Sequence, residues 1–166
     1  LSSTKLVEIG RDTFYHCDSL TKVELPDTVK VIGKMAFFDC DELEKVDLSS
    51  TKLVEIGDNA FRSCDKLTKV ELPDTVKVIG KEAFAGCEKL QEIHIPTSLE
   101  KIGESAFCAC KSLKEIKIPS NVYRIGWEAF KYISKLKVTI YNSKDKVNSS
   151  YAFDEDAIIE YKDKGL

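Results

Sequence analysis

The chain has 166 residues, of which 43% are hydrophobic, and this content is enough for a packed core. Charged residues make up 32%, but 25 Lys and Arg against 28 Asp and Glu leave a net charge of only -3. We therefore expect no nucleic-acid partner, because phosphate binding needs a basic excess. No apolar run approaches the roughly 18 residues of a membrane-spanning helix, so we also expect no membrane insertion.

An Ile-Gly pair recurs along the chain at a nearly constant spacing. The pairs begin at Ile9, Ile32, Ile56, Ile79, Ile102 and Ile125, at steps of 23, 24, 23, 23 and 23 residues. Self-similarity at such a period is typical of a solenoid, in which each coil packs mainly on its neighbours. Residues 1–10 repeat residues 48–57 and so start in the middle of a coil. We expect six coils over residues 1–140, the first truncated, in a piece of a longer protein.

Each coil is expected to contain a strand, a glycine turn and a short helical segment. In one coil, apolar and charged residues alternate towards the end of Leu20–Leu25, as in a half-buried strand, and Pro26 ends it. Gly33 follows, where the backbone needs a positive φ or a close approach to its neighbour. Residues 34–40 are too short for a full amphipathic helix and predict one or two helical turns on the outer face. Their Ala-Phe pairs predict a stacked core column, which consists of Phe37, Phe61, Phe84, Phe107 and Phe130.

The C-terminal part of the chain departs from the repeat. Residues 142–150 are polar and irregular, and residues 157–161 resemble a last strand. Because the ends of a solenoid need a polar cover, we interpret residues 141–166 as a C-terminal cap. The predicted fold class is α/β, a solenoid with a parallel sheet on one side and short helical turns on the other.

Five of the six cysteines occupy one position of the repeat, namely Cys17, Cys40, Cys64, Cys87 and Cys110. One cysteine per coil makes a line and not the four converging ligands of a zinc site. We therefore expect free, buried thiols that act as small hydrophobic residues, with no disulfide framework. Cys108 lies outside this column and is the expected exposed thiol.

No arrangement of residues predicts catalysis, a metal site or a cofactor. Neither His16 nor His94 has a neighbouring Ser, Cys or carboxylate pattern that would orient it as a base. We therefore expect that the protein is not an enzyme.

Two columns of residues on the strands are the candidate protein-binding site. They alternate with the core residues and should face outward on the concave side. The first column is Lys22, Lys45, Lys69, Glu92 and Glu115, and the second is Glu24, Asp47, Glu71, His94 and Lys117. Either these charges form a solvated face whose pairs contribute little, or they form a recognition strip for a protein of complementary charge.

Three aromatic residues of the sixth coil form a second candidate patch: Tyr123, Trp127 and Tyr132. Large aromatic residues are enriched at binding hot spots. Trp127 is alternatively a plug for the end of the core beneath the cap.

The repeats resemble the BspA-like (Treponema pallidum type) leucine-rich repeats. Three segments carry the likeness: VELPDTVKVIGKEAFAGC from Val70, IHIPTSLEKIGESAFCAC from Ile93 and IKIPSNVYRIGWEAF from Ile116. The resemblance implies a right-handed solenoid with a parallel sheet on its concave side, and a surface or secreted location. It also implies a role in adhesion or protein binding without catalytic residues.

The function that we expect is a non-catalytic protein-interaction or adhesion module of a larger cell-surface or secreted protein. Its partner would be a protein, host surface and extracellular proteins included. One alternative is a structural spacer or assembly segment that associates end to end with further copies. Another is an intracellular regulatory scaffold, which fits the free thiols better than an oxidising exterior does.

Overall fold

The computed structural model describes residues 5–162, and they form a β-solenoid of about seven turns. All strand pairs are parallel, as expected when each coil repeats the path of the one before. In chain order the strands are β1 Glu8–Ile9, β2 Lys22–Val23, β3 Val31–Ile32, β4 Lys45–Asp47, β5 Glu55–Ile56, β6 Lys69–Glu71, β7 Val78–Ile79, β8 Glu92–Ile93, β9 Lys101–Ile102, β10 Glu115–Ile118, β11 Arg124–Ile125, β12 Lys137–Ile140 and β13 Ile158–Tyr161.

The strand predicted in each coil is present, and its neighbours assemble into two sheets. One contains β2, β4, β6 and β8, and the other contains β10, β12 and β13. In the first, Lys22 lies opposite Lys45, which lies opposite Lys69. The extra residue of the 24-residue step therefore lies outside the paired strands.

A second run of strands was not predicted. The two-residue segments before the glycines, each ending in isoleucine, form a six-stranded sheet from β1, β3, β5, β7, β9 and β11. Its isoleucines point into the core, and Ile32 and Ile56 are fully buried. The solenoid therefore has a short strand on two sides of every coil.

The predicted helical turns are wrong, and with them the α/β class. Residues 34–39 form successive turns in which Met35 and Asp39 have φ values of 55° and 53°. The amide groups of Met35, Phe37 and Asp39 donate to carbonyl oxygens of the next coil, at 2.8–2.9 Å from nitrogen to oxygen. Because these donors bond between coils, an α-helical ladder cannot form. A 3-10 turn at Lys144–Lys146 is the one helical element within residues 5–162.

The phenylalanine column is confirmed and extends further than predicted. Phe14 and Phe153 add a ring at either end, and successive ring centroids lie 4.9–5.3 Å apart with interplanar angles of 2–11°. The five central rings have no exposed surface. The coils therefore stack with little change of orientation.

The cysteine column is confirmed as buried for Cys40, Cys64, Cys87 and Cys110, whose thiols make a repeated hydrogen bond, whereas Cys17 is only partly buried. The Sγ of Cys64 donates to the carbonyl oxygen of Phe37 in the preceding coil at 3.2 Å, and Cys87 donates likewise to Phe61 at 3.0 Å. Burial raises the pKa of the Cys40 thiol to about 12, so it stays protonated at neutral pH. These thiols fill the core and link neighbouring coils.

Two thiols, and not the one expected from sequence, should react in the native protein. Cys17 and Cys108 are partly exposed, whereas the other four cysteines are buried. Burial also raises the pKa of Cys108, so it should react more slowly than an unhindered thiol. Titration with a thiol reagent at neutral pH should modify two groups, and denaturant should release the remaining four. Four or more reactive thiols without denaturant would contradict the buried column.

Residues 141–162 continue the solenoid as a further coil. Asn148 bridges to Arg124, and Phe153 bridges to Phe130. The predicted last strand is confirmed as β13, which pairs in parallel with β12. Its role as a cap and the boundary after residue 140 remain predictions, and residues 1–4 of the truncated first coil lie outside the described residues.

Candidate protein-binding surface

The ten residues predicted as a binding site, nine charged residues and His94, lie at the surface on one side of the stack. We call this surface the charged face. Strand register aligns Lys22, Lys45, Lys69 and Glu92 in one column. Asp47 and Glu71 are aligned in the second column. Neighbouring charges in a column are therefore one strand spacing apart, about 4.8 Å.

The charged face is interrupted between the fourth and fifth strands. β8 and β10 belong to different sheets, and Ile93 of β8 is only partly buried. Beyond this break, Glu115 and Lys117 lie opposite Lys137 and Thr139 of β12. The columns predicted from sequence therefore fall into two sections, and the signs of their charges change near the same place.

Several charges of the face pair with each other. Lys22 of β2 forms an ion pair with Glu24, which directly follows that strand, and this pairing raises the pKa of the lysine and lowers that of the carboxyl group. Lys69 Nζ lies 2.9 Å from Glu71 and 3.8 Å from Glu92 carboxylate oxygens. A hydrogen bond to Glu71 raises the pKa of Lys69. These pairs are solvent-exposed, so each contributes little to stability.

Lys45 differs from the lysines on either side of it. The residue that would pair with it, Asp47, instead accepts hydrogen bonds from the hydroxyl and amide of Ser49 at 2.6 and 2.9 Å. These bonds lower the pKa of Asp47. Within residues 5–162 no carboxylate lies within ion-pair distance of Lys45. Its ammonium group is thus available to an external anion.

The charged face contains two shallow concavities of about 710 and 470 Å³. The first lies over β2, β4 and β6, and the second over β6, β8 and β10. Both are lined by charged groups of both signs together with aliphatic side chains. Such a lining suits a protein surface with polar and apolar groups better than a small apolar ligand.

No set of three His, Cys, Asp or Glu side chains within residues 5–162 is placed to hold a metal ion. Between residues 5 and 162, no helix has the length and apolar character needed to cross a membrane. His94 is exposed on the charged face.

The aromatic patch is at the surface, and the alternative role of Trp127 as a core plug is wrong. Trp127 is 54% exposed, and Tyr123 and Tyr132 are 47% and 65% exposed. The core position beneath the last coil is taken by Phe153, which stacks on Phe130 at 5.3 Å. Tyr151, 76% exposed, was missed because its segment lacks the Ile-Gly signal that defines the repeat register.

Comparison with known proteins identifies the repeats. The model of the BspA type leucine-rich repeat region matches six copies, over residues 7–137 and 54–161. A Treponema pallidum leucine-rich repeat protein of known structure is 36% identical over 72% of this chain, with a TM-score of 0.68. This chain covers 58% of that protein.

A second solved structure, the pneumococcal vaccine antigen PcpA, has a TM-score of 0.60 at 19% identity and shares the fold. The alignment covers 86% of this chain and 42% of that one. No curated protein matches the sequence. Leucine-rich repeat proteins are generally protein-interaction modules and typically non-catalytic scaffolds. On the family match and the 36% identity, the chain belongs to the BspA type leucine-rich repeat family.

Proposed function

We propose that the protein is a non-catalytic interaction or adhesion module that binds a protein partner on its charged face. The observation that supports this most directly is the ordered pair of charged columns on a regularly stacked scaffold. We place the module in a larger cell-surface or secreted protein, as its family resemblance implies.

The scaffold favours binding because it fixes the charges before a partner arrives. The column residues stand on the short strands or directly after them, beside inward residues such as Val46 and Val70, which are 1% exposed. Little backbone entropy is therefore lost on association. Charges held in this way contribute mainly to the association rate and to the choice of partner.

Lys45 is the proposed centre of recognition. It lies among the groups that line the larger concavity, between two lysines that already have acidic neighbours. A carboxylate of the partner would meet no competing intramolecular acid at Lys45. The partner is thus expected to present an acidic group to this column, with basic groups towards Glu24 and Glu71.

A structural spacer is the second candidate function. It is favoured by the ion pairs within the charged face, which satisfy Lys22 and Lys69 without a partner. In that case the face would only keep the stack soluble, and binding sites would lie in other parts of a longer protein.

Charge reversal on the first column separates these functions. The combined change Lys22→Glu, Lys45→Glu and Lys69→Glu should reduce capture of partner protein from cell-surface extracts at least about tenfold. The expected reason is repulsion of the partner's acidic groups. Capture would be measured by quantitative mass spectrometry on immobilised protein, with circular dichroism to show that the fold is kept.

The matched control reverses three exposed lysines away from the charged face, namely Lys30, Lys52 and Lys89. It makes the same change in net charge and should leave capture unaltered. Equal losses in both variants would indicate a non-specific charge effect. Unchanged capture in the first variant would contradict binding on the charged face and direct attention to the aromatic patch.

A further inference from the structure

Each of five coils places two outward residues on the charged face, one in each column, and in four of these coils the two residues have opposite charges. Lysine precedes an acid in the first three coils, an acid precedes histidine in the fourth and an acid precedes lysine in the fifth. The five pairs are Lys22 with Glu24, Lys45 with Asp47, Lys69 with Glu71, Glu92 with His94, and Glu115 with Lys117. The pattern is kept although the order of the signs reverses along the stack.

This pattern makes the face complementary to itself. Consider a second copy related to the first by a two-fold axis that lies between the two opposed faces. The axis is parallel to the stack and midway between the columns. The first column of the second copy then opposes the second column of the first copy. Lys22 then meets Glu24 of the second copy, and Glu115 meets Lys117. Four of the five coils then form two unlike contacts each, the remaining coil brings Glu92 against His94, and no like charges meet.

We propose that the charged face binds the same face of a second copy, in a two-fold symmetric dimer. This inference rests on the proposed function, because it names a partner for the same surface. A two-fold interface is the commonest form of homo-oligomer, and it requires a self-complementary surface of this kind.

The spacing of the charges favours a second copy over an unrelated surface. From Lys22 to Glu92 the charges of the first column repeat at about 4.8 Å, and the two columns are two residues apart, about 6.6 Å. The same face of a second copy presents charges at these same two intervals. The ring planes from Phe37 to Phe153 differ by 2–7° at each step. The charged columns of the two copies can therefore remain aligned over several coils.

Two-fold symmetry about an axis parallel to the strands fits less well. With the axis between β6 and β8, Lys69 would oppose Glu92 and Lys45 would oppose Glu115. Lys22 would then oppose Lys137 of β12, a like-charge contact that costs binding energy. The axis parallel to the stack is therefore the proposed one.

The dimer should be weak and sensitive to salt. Its contacts are exposed ion pairs that individually contribute little, and Lys22 and Lys69 already pair with Glu24 and Glu71 of their own coils. The new ion pair of Lys45 should contribute most to the dimer, because Asp47 of the second copy would be the first acidic partner of this lysine. An interface of five short strands falls among the smaller, transient interfaces.

Two complementary variants test the pairing. Lys22→Glu with Lys69→Glu places acids in both columns of two strands, and Glu24→Lys with Glu71→Lys places lysines in both. Asp47 is left unchanged, so its turn with Ser49 is kept. Each variant alone should have a dimer dissociation constant raised at least about tenfold by like-charge repulsion. An equimolar mixture should recover dimers of nearly wild-type stability.

The measurement is sedimentation equilibrium of wild type, each variant and the mixture. Wild-type dimer should be present at about 0.03 M salt and largely lost at about 0.5 M. The variant with Lys30→Glu, Lys52→Glu and Lys89→Glu should dimerise as wild type does. A monomeric wild type at low salt, or a mixture that remains monomeric, would overturn the dimer. Loss of extract capture by the first-column variant would still support the proposed function in that event, so the two failures are distinguishable.

Discussion

Replacement of Phe37 by Ala is expected to lower the free energy of unfolding by about 3–5 kcal/mol. Phe37 has no exposed surface and lies between Phe14 and Phe61, with ring centroids 4.9 and 5.0 Å away. Its removal leaves a cavity that cannot easily collapse, because both neighbouring rings are held by their own coils. Urea denaturation followed by circular dichroism would measure the loss.

The adjacent Phe38 provides the matched control. It is only partly buried, and its ring stacks at 5.2 Å on Tyr15 at the surface. Its replacement by Ala should cost about 1 kcal/mol, the size of one exposed aromatic contact. Similar losses for the two variants would contradict the continuous ring column as the main core contact of these coils.

The repeat register carried most of the information needed to predict the core. Since equivalent residues stack on each other in a solenoid, the period alone placed the phenylalanine and cysteine columns and the strand at Lys22. The continuation through Phe153 was missed. Its coil keeps Tyr-Ala-Phe at residues 151–153 but has Asn148 in line with Arg124 and no Ile-Gly pair.

The helical turns could not be excluded by reading one coil at a time. The outer segment 34–40 has helix-compatible residues, but its amide groups bond to the next coil, a choice that depends on the neighbouring backbone. Positive φ values at Met35 and Asp39 accompany those bonds, although neither is glycine. The sheet before each glycine was missed for a related reason, because two-residue strands such as β3 are too short for a visible alternation.

For the candidate surface, alternation predicted which side chains face outward, and the parallel register confirms the alignment from Lys22 to Glu92. It could not predict which charges pair. The hydrogen bonds from Ser49 to Asp47 depend on the turn after β4, and they leave Lys45 without an acid. The binding role of these residues remains a proposal that the charge-reversal variants test.

Replacement of Gly103 by Ala should destabilise the protein by about 3 kcal/mol, the upper range for inserting a methyl group into a packed site. A Cβ at this position would lie 2.5 Å from the backbone carbon and oxygen of Gly80 in the preceding coil. Backbone atoms cannot move aside as a flexible side chain can, so the two coils would have to separate. The sequence offered two reasons for glycine at this repeat position, a positive φ or a close approach to the neighbouring coil. Gly103 is not in the left-handed region, so the close approach is the reason that applies here.

Gly10 is the matched control, because it is the same repeat position in the first coil. The nearest atom to an added Cβ is Thr13 Oγ1, at the ordinary contact distance of 3.5 Å. Gly10→Ala should therefore be neutral or stabilise the protein by up to about 1 kcal/mol, since alanine lowers the entropy of the unfolded chain. Thermal and urea unfolding of both variants would measure the difference. Equal stability changes would show that a local backbone preference, and not the approach of neighbouring coils, determines glycine at this position.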